Sequence, residues 1–185
     1  MSSSRPPSPR RIIVRGTSGA GKTWMARAIG EILGIEPTEI DAISHLPDWQ
    51  ERPREELKTI LSRVVESDAW IIDGNYGGTM GIRFSAADTV IFLDFPRWLC
   101  IFRVIRRRLQ YRGRNRPDMA PGCPEKIDWA FLKWVWGYRT RSRPRVLQIL
   151  EQYRVDKRVI TLRGAAGVRR FLREIASFQR SCDVV

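Results

Sequence analysis

The octapeptide "GTSGAGKT", from Gly16 to Thr23, carries the residue types that hold a phosphate group. It matches the pattern G-x-x-x-x-G-K-[ST] at every fixed position, between the apolar run "RIIVRG" and the helical pattern "WMARAIGEIL". Glycines let backbone N–H groups turn toward an anion, and the N-terminus of the following helix adds partial positive charge. Lys22 is expected to reach the β- and γ-phosphates, and the Thr23 hydroxyl to bind Mg²⁺. The predicted phosphate-binding residues are Gly16, Thr17, Ser18, Gly19, Ala20, Gly21, Lys22 and Thr23.

The donor nucleotide is predicted from a motif that the chain does not have. A GTPase would read guanine with an Asn-Lys-x-Asp run, but the only asparagines are Asn75 and Asn115, and neither precedes a lysine. We therefore expect ATP, bound together with Mg²⁺, as the phosphate donor.

Positive charge is concentrated in one segment of the chain. Residues 97 to 145 contain 12 Arg and 2 Lys against 3 acidic residues, within a formal net charge of +13 for the whole chain. Guanidinium groups match phosphate oxygens bidentately and stay charged at any pH the protein meets. Such a segment either follows a nucleic-acid backbone or surrounds a small polyanion.

Length and composition predict one globular domain. The chain has 185 residues, of which 43% are hydrophobic, so one sizeable core is expected. The Ser-, Pro- and Arg-rich residues 1–10 predict a disordered tail without a secretory signal, and no stretch approaches the roughly 18 apolar residues of a membrane span. We expect a cytoplasmic protein without a membrane partner. Three separated cysteines and one histidine argue against a zinc site or a disulfide framework.

Five short apolar runs predict β-strands: residues 11–16, 38–43, 69–74, 88–95 and 157–163. Most are continuously apolar, as expected for strands buried on both faces of a parallel sheet. Helical spacing of apolar residues separates several of them, which predicts βαβ crossovers and a three-layer α/β domain with a five-stranded parallel sheet and helices on both faces. The helical sets are Leu57, Ile60, Leu61, Val64 and Val65; Ile127, Ala130, Phe131, Trp134, Val135 and Tyr138; and Val168, Phe171, Leu172 and Ile175.

Two stretches after the phosphate motif carry a family resemblance. "WIIDGNYGG" ends the third predicted strand with Asp-Gly, and "ADTVIFLDFPRWLCIFRVIRRR" runs from the fourth into Asp-Phe-Pro and an arginine-bearing helix. In both, the chain resembles the adenylate-kinase-like P-loop kinases of nucleosides and nucleotides. The resemblance implies the P-loop NTPase fold. It also implies that Asp73 holds the water shell of Mg²⁺ and that Arg103 and Arg107 contact the donor base and phosphates.

A narrower resemblance rests on "IIDGNYG" and "RGRNRPDMAPGCPEKID". These stretches resemble the bacterial branch often labelled topology modulation protein, or FlaR-like, and the likeness extends over residues 11–178, taken as one kinase-like domain. Adenylate kinase has Phe-Pro-Arg after its Asp-Gly, whereas this chain has Asn75-Tyr76-Gly77, which argues against AMP as the acceptor. The resemblance therefore implies a reaction class and not a substrate.

An arginine-rich lid is predicted at residues 111–126. Arg112, Arg114 and Arg116 lie among glycines and prolines between two helical patterns, which is typical of a mobile loop. Closing such a loop over the phosphates would stabilise the charge that spreads during phosphoryl transfer, so Arg114 is a candidate catalytic residue. The arginines that end the next helix are expected to face the lid: Arg139, Arg141, Arg143 and Arg145.

Several other side chains have two interpretations each. Asp41, after the second predicted strand, is either a general base for a substrate hydroxyl or a cap. Asp94, after the fourth, is either a metal ligand or a helix cap, and Asp73 is preferred for the metal. Trp49 either stacks on an acceptor or packs against the following helix, while Trp134 falls on an apolar stripe and is predicted to be core.

These patterns predict an ATP-dependent kinase acting on a small molecule, with nucleosides and nucleotides among the candidate acceptors. The alternative is a nucleotide-gated regulator that binds nucleic acid through the same basic segment. The placement of the arginines beside the phosphate motif favours the kinase, for which nucleic acid would be a weak, non-specific partner. The candidate catalytic residues are Lys22, Asp41, Asp73, Arg103, Arg107 and Arg114, and the candidate metal ligands are Thr23 and Asp73.

Overall fold

The computed structural model describes the backbone of residues 9–125 and 127–182. Its strands, numbered along the chain, are β1 (Arg11–Gly16), β2 (Pro37–Glu39), β3 (His45–Leu46), β4 (Gln50–Glu51), β5 (Trp70–Asp73), β6 (Thr89–Leu93) and β7 (Arg158–Leu162). Its α-helices are α1 (Lys22–Leu33), α2 (Ile40–Ser44), α3 (Arg54–Glu66), α4 (Met80–Ala86), α5 (Arg97–Gln110), α6 (Trp129–Arg141), α7 (Arg143–Tyr153) and α8 (Ala165–Cys182).

Five of the strands form one parallel sheet in the order β2-β5-β1-β6-β7, and β3 pairs with β4 in a separate antiparallel hairpin. This confirms the predicted α/β fold with a five-stranded parallel sheet. The central strand β1 pairs with β5 on one side and with β6 on the other. The loop that follows β1 therefore leaves the sheet at its middle, between the ends of two neighbouring strands.

Each face of the sheet is covered by its own apolar core. Alternate residues of β1 point to opposite faces, so Ile12 and Val14 belong to one core and Ile13 to the other. The first core includes Met25 and Ile29 of α1, Cys100 of α5, and Phe171 and Ile175 of α8. The second includes Leu57 and Leu61 of α3, Phe84 of α4, and Val146 and Leu150 of α7.

The second predicted strand is shorter than expected. Residues 38–43 were predicted to be extended, but β2 ends at Glu39 and α2 begins at Ile40. β2 is an edge strand that pairs only with β5, over three residues. Ile40 is fully buried against Gly74, where a Cβ atom would lie 2.7 Å from the Ile40 Cβ. Ile40 is thus fixed in the core at the point where α2 begins, and Asp41 lies in the first turn of that helix.

The prediction that Trp134 belongs to the core is wrong. Trp134 is 40% exposed, whereas Val135 beside it on α6 is 1% exposed. α6 packs against α5 and α7, and its residues Ala130, Phe131 and Trp134 line a cleft. The apolar stripe of this helix therefore does not mark a fully buried face.

The structure also bears on the sequence predictions for the N-terminal tail, the cysteines and membrane spans. Of the predicted tail, residues 1–8 lie outside the described residues, and the backbone N–H of Arg10 donates to Asp88 Oδ2 at 3.0 Å. Cys100 and Cys123 are buried free thiols, and the side chain of Cys182 is outside the described residues. No helix in the described part of the chain is long and apolar enough to cross a membrane.

Candidate active site

The phosphate motif forms a tight loop between β1 and α1. Gly19 has φ +79°, and a Cβ atom there would lie 2.3 Å from the carbonyl oxygen of Cys100 in α5. Only glycine fits this combination of backbone angle and close approach. The loop thus packs directly on the first turns of α5, and Gly21, also at positive φ, precedes the N-terminus of α1.

Asp73 lies at the end of β5, directly beside this loop. Asp73 is 3% exposed, and its Oδ2 atom has no hydrogen-bond partner among the described residues. Burial raises the pKa of Asp73 above its ordinary value, while the Lys22 ammonium and the Thr23 hydroxyl lower it. Three residues from two distant stretches of sequence therefore meet at one point.

Asp94 has a different environment at the end of β6. Its carboxylate accepts two hydrogen bonds of 2.7 Å from Arg143, and Arg163 lies 3.4 Å away. The hydrogen bonds from Arg143 lower the pKa of Asp94. No side chain caps the N-terminus of α5, so the cap predicted for Asp94 is absent there. Asp94 joins β6 to α7, and both of its oxygens are already paired.

We expect Asp94→Asn to lower the free energy of unfolding by about 2 kcal/mol at neutral pH, because it breaks a charged, bidentate pair. The folded-state pKa is lowered, so this contribution is present above the unfolded-state pKa and is lost as pH falls through the folded-state value. Urea unfolding across that acidic range should show the two proteins converging. The exposed Asp68→Asn is the control, and a deficit of equal size at every pH would contradict this account.

The loop after Asp73 is held by a buried arginine. Arg83 of α4 is fully buried and donates hydrogen bonds to the carbonyl oxygens of Gly74 and Tyr76. Burial lowers the pKa of Arg83 to about 9. Asn75, between the two carbonyls, donates from Nδ2 to the carbonyl oxygen of Gly16. The acidic strand end and the phosphate loop are thereby joined.

A cleft of about 1400 Å³ opens above the phosphate loop, between α5, α6 and the start of α8. Arg103 Nη1 lies 3.3 Å from the carbonyl oxygen of Ala20, and its guanidinium lies 5.1 Å from the centre of the Phe95 ring. The Arg103 side chain therefore contacts the loop that is predicted to bind phosphate. The arginines that line the cleft are Arg27, Arg103, Arg106, Arg107, Arg116 and Arg169.

The predicted lid segment lies between α5 and α6 and contains a buried glutamate. The Glu125 side chain is 2% exposed and lies 2.9 Å from Arg107 Nε and 2.9 Å from Arg116 Nε, through different oxygens. Arg108 donates to the Glu125 carbonyl oxygen. The sequence marked this segment only by its arginines and its "GCPEKID" stretch. It gave no sign that one carboxylate would hold both Arg116 of the segment and Arg107 of α5.

The lid segment also contacts the residues between α2 and α3. Trp49 packs against Met119, Ala120 and Cys123, and it also lines the cleft. Three hydrogen bonds join the two segments: Trp49 Nε1 to Pro124 O at 3.1 Å, Cys123 Sγ to Leu46 O at 3.3 Å, and Asp48 N to Gly122 O at 3.2 Å.

Not all predicted arginines lie in the cleft. Arg112 and Arg114 are exposed, and neither is among the described residues that line it. Arg143 was expected to face the lid, but it binds Asp94. Arg141 donates to the carbonyl oxygen of Trp134. Arg106 and Arg169 also line the cleft. Nothing in their sequence spacing distinguishes them from surface arginines, so the sequence did not predict them as site residues.

A second, smaller cavity of about 180 Å³ adjoins the cleft near Lys22. The two spaces adjoin at residues that line both of them: Ser18, Lys22, Asp41, His45 and Trp134. Glu39 occupies the N-cap position of α2, without a side-chain cap, so Asp41 does not have the capping role considered above. The residues around the small cavity are Ser18, Lys22, Asp41, Ser44, His45, Glu51, Asn75, Tyr76 and Trp134.

Comparison with known proteins gives a fold but no family. No family model matches the chain, and no curated protein matches it in sequence. A gluconokinase from Sinorhizobium meliloti 1021 is 16% identical, with a TM-score of 0.52, covering 96% of this chain and 95% of its own. Shikimate kinase from Acinetobacter baumannii, in complex with shikimate, is 19% identical, with a TM-score of 0.55 and coverages of 95% and 96%. The chain therefore has the fold of P-loop kinases.

Proposed function

We propose that this protein is an ATP-dependent phosphotransferase that moves the γ-phosphoryl group of ATP to a small-molecule acceptor. The observation that carries the proposal is the meeting of Lys22, Thr23 and the buried Asp73 at a complete phosphate loop. The cleft above this loop, lined by arginines from α5, the lid segment and α8, supports the same assignment. The likeness to gluconokinase and shikimate kinase structures adds support at the level of fold.

The residues present fit a magnesium ion. Oxygen ligands from carboxylates and hydroxyls suit Mg²⁺, and Asp73 Oδ2 is a buried acceptor without a partner among the described residues. We propose that Thr23 and Asp73 hold the ion and its water. When bound, Mg²⁺ supplies charge neutralisation at the β- and γ-phosphates.

The protein's own residues have distinct roles in this reaction. We assign the backbone of residues 16 to 23 and the Lys22 ammonium to holding the phosphates, and Arg103 and Arg107 to the donor nucleotide. The acceptor oxygen forms a bond to the γ-phosphorus as the bond from that phosphorus to the oxygen of ADP breaks. Asp41, which lines both cavities, would take the proton of an acceptor hydroxyl. Arg114 would join the site when the lid segment closes.

The wider assignments from sequence belong to the same proposal. We propose one kinase-like domain over residues 11–178, with residues 111–126 as its lid. The resemblance to the topology modulation, or FlaR-like, branch rests on the "DGNY" and "GCPEKID" stretches alone. It adds no acceptor to the proposal, so the acceptor has to be argued from the site.

The proposal predicts that ATP with Mg²⁺ stabilises the folded protein. A ligand at about 100 times its dissociation constant raises the free energy of unfolding by roughly 2.7 kcal/mol. Lys22→Ala removes the ammonium that holds the phosphates and should abolish most of this shift. Thermal unfolding of both proteins, with and without ATP and Mg²⁺, measures the effect.

Release of ADP in the presence of candidate acceptors is the second half of this test. The matched control is Lys58→Ala, which removes a lysine from α3 that pairs with Glu55. This variant should keep the full ATP response. No shift in the wild-type protein, or equal shifts in the wild-type protein and Lys22→Ala, would show that the loop does not bind ATP.

A further inference from the structure

The space around Lys22 divides into two halves of opposite charge. On the side of the large cleft, six arginines from α1, α5, the lid segment and α8 reach the lining. The four carboxylates in the same lining offset only part of this positive charge; they are Asp41, Asp118, Glu125 and Asp128. On the side of the small cavity, the charged groups are the carboxylates of Asp41 and Glu51 together with Lys22 itself. Lys22 belongs to the phosphate loop, so its charge is matched by ATP. What remains for a second substrate is a lining of net negative charge.

Three arginines near the small cavity are already occupied. Arg52 donates to the carbonyl oxygen of Ile43 at 2.7 Å and pairs with Glu56. Arg54 donates to the carbonyl oxygen of Gly78. Arg83 is fully buried behind the loop that it holds. None of the three is among the described residues that line this cavity.

The rest of the lining offers uncharged hydrogen-bonding groups and ring faces. Asn75 Oδ1 is buried and has no hydrogen-bond partner among the described residues, so it can accept from a substrate hydroxyl or amine. The Ser44 hydroxyl and His45 Nδ1 lie 3.1 Å apart at the same wall. Tyr76 and Trp134 add aromatic surface, on which a flat or cyclic molecule can stack.

We propose that the phosphoryl acceptor is an uncharged or positively charged cyclic hydroxyl compound, such as a nucleoside or an amino sugar, and not a phosphomonoester or a carboxylic acid. This inference rests on the proposed kinase function and narrows its acceptor. An anionic acceptor would meet Asp41 and Glu51, while Lys22, the one cation among the described residues of this lining, is engaged by ATP. Like charges held close together oppose binding. A neutral or cationic acceptor meets no such penalty, and an amine gains from Glu51.

The test compares acceptors in matched pairs that differ in charge. ADP release is measured with nucleosides against their 5′-monophosphates, and with glucosamine against gluconate and shikimate. We expect at least one neutral or cationic acceptor to exceed its anionic counterparts by about tenfold or more in kcat/KM. Preference for a monophosphate or an acid would overturn the inference and leave the kinase function intact. No ADP release with any acceptor would overturn the kinase function, and the inference with it.

Charge reversal at Glu51 tests the residue basis of this preference. Glu51→Lys should reduce the neutral-to-anionic ratio of kcat/KM by about tenfold, and the isosteric Glu51→Gln by less, while ATP-induced stabilisation stays unchanged. Glu55→Lys, on an exposed part of α3, makes the same charge change outside the cavity and should leave the ratio unchanged. An unaltered ratio in Glu51→Lys, or an equal change in Glu55→Lys, would overturn the role assigned to this cavity.

Discussion

Asp73→Asn is expected to reduce turnover by about 100-fold or more while leaving the thermal unfolding midpoint nearly unchanged. Asparagine keeps the shape of the side chain but removes the charge that would orient the water shell of Mg²⁺ beside Lys22 and Thr23. Stability should survive, because burial raises the pKa of Asp73 and so makes its ionised form costly for the folded protein. Steady-state kinetics with ATP and an identified acceptor, together with thermal unfolding, measure both effects.

Asp94→Asn is the matched comparison, since it makes the same chemical change at the end of β6, the next strand along the chain. Its carboxylate is bound by Arg143, so its loss should appear in stability and only modestly in turnover. A silent Asp73→Asn beside an inactive but folded Asp94→Asn would mean that the metal is held at β6 and that our assignment is wrong.

The parts of the site that the sequence predicted well depend on local constraints. The phosphate loop needs glycine at positions with positive φ and close backbone contacts, so the spacing of its glycines is visible in the sequence. The parallel strands are buried on both faces, so they read as continuous apolar runs. Their order along the chain then brings Asp73 to the loop, because the carboxyl ends of neighbouring parallel strands share one edge.

The parts that the sequence did not predict depend on contacts between distant elements. Arg83 reads as an ordinary charged residue in "MGIRFSA", yet it is buried because two carbonyl groups of the preceding loop need donors. Trp134 follows a correct helical period, but it faces a cleft, whereas Val135 beside it reaches the core. Helical periodicity identifies the apolar face of a helix without identifying what that face meets.

The lid segment illustrates the same limit for charged residues. All three of its arginines look alike in sequence, but Arg116 is 6% exposed and pairs with Glu125, whereas Arg112 and Arg114 are exposed. Replacement of Arg116 would remove a partner from a buried carboxylate and disturb the segment itself. Arg112 and Arg114 are therefore the residues with which closure over the phosphates can be tested without unfolding the lid.

The double variant Arg112→Ala/Arg114→Ala is expected to lower the rate of phosphoryl transfer by about 100-fold and to change ATP affinity by less than about threefold. Contacts to the spreading charge strengthen in the transition state. Removing these arginines should therefore lower kcat more than it weakens ground-state binding of ATP. The control, Arg63→Ala/Arg173→Ala, removes the same charge from exposed positions of α3 and α8 and should keep full activity.

Fluorescence anisotropy at about 150 mM salt tests the alternative function, nucleic-acid binding, since a kinase of this net charge should bind nucleic acid only weakly and with steep salt dependence. Submicromolar, ATP-dependent binding of DNA or RNA that the double variant abolishes and the control retains, without any acceptor phosphorylated, would replace the kinase by a nucleic-acid-binding regulator.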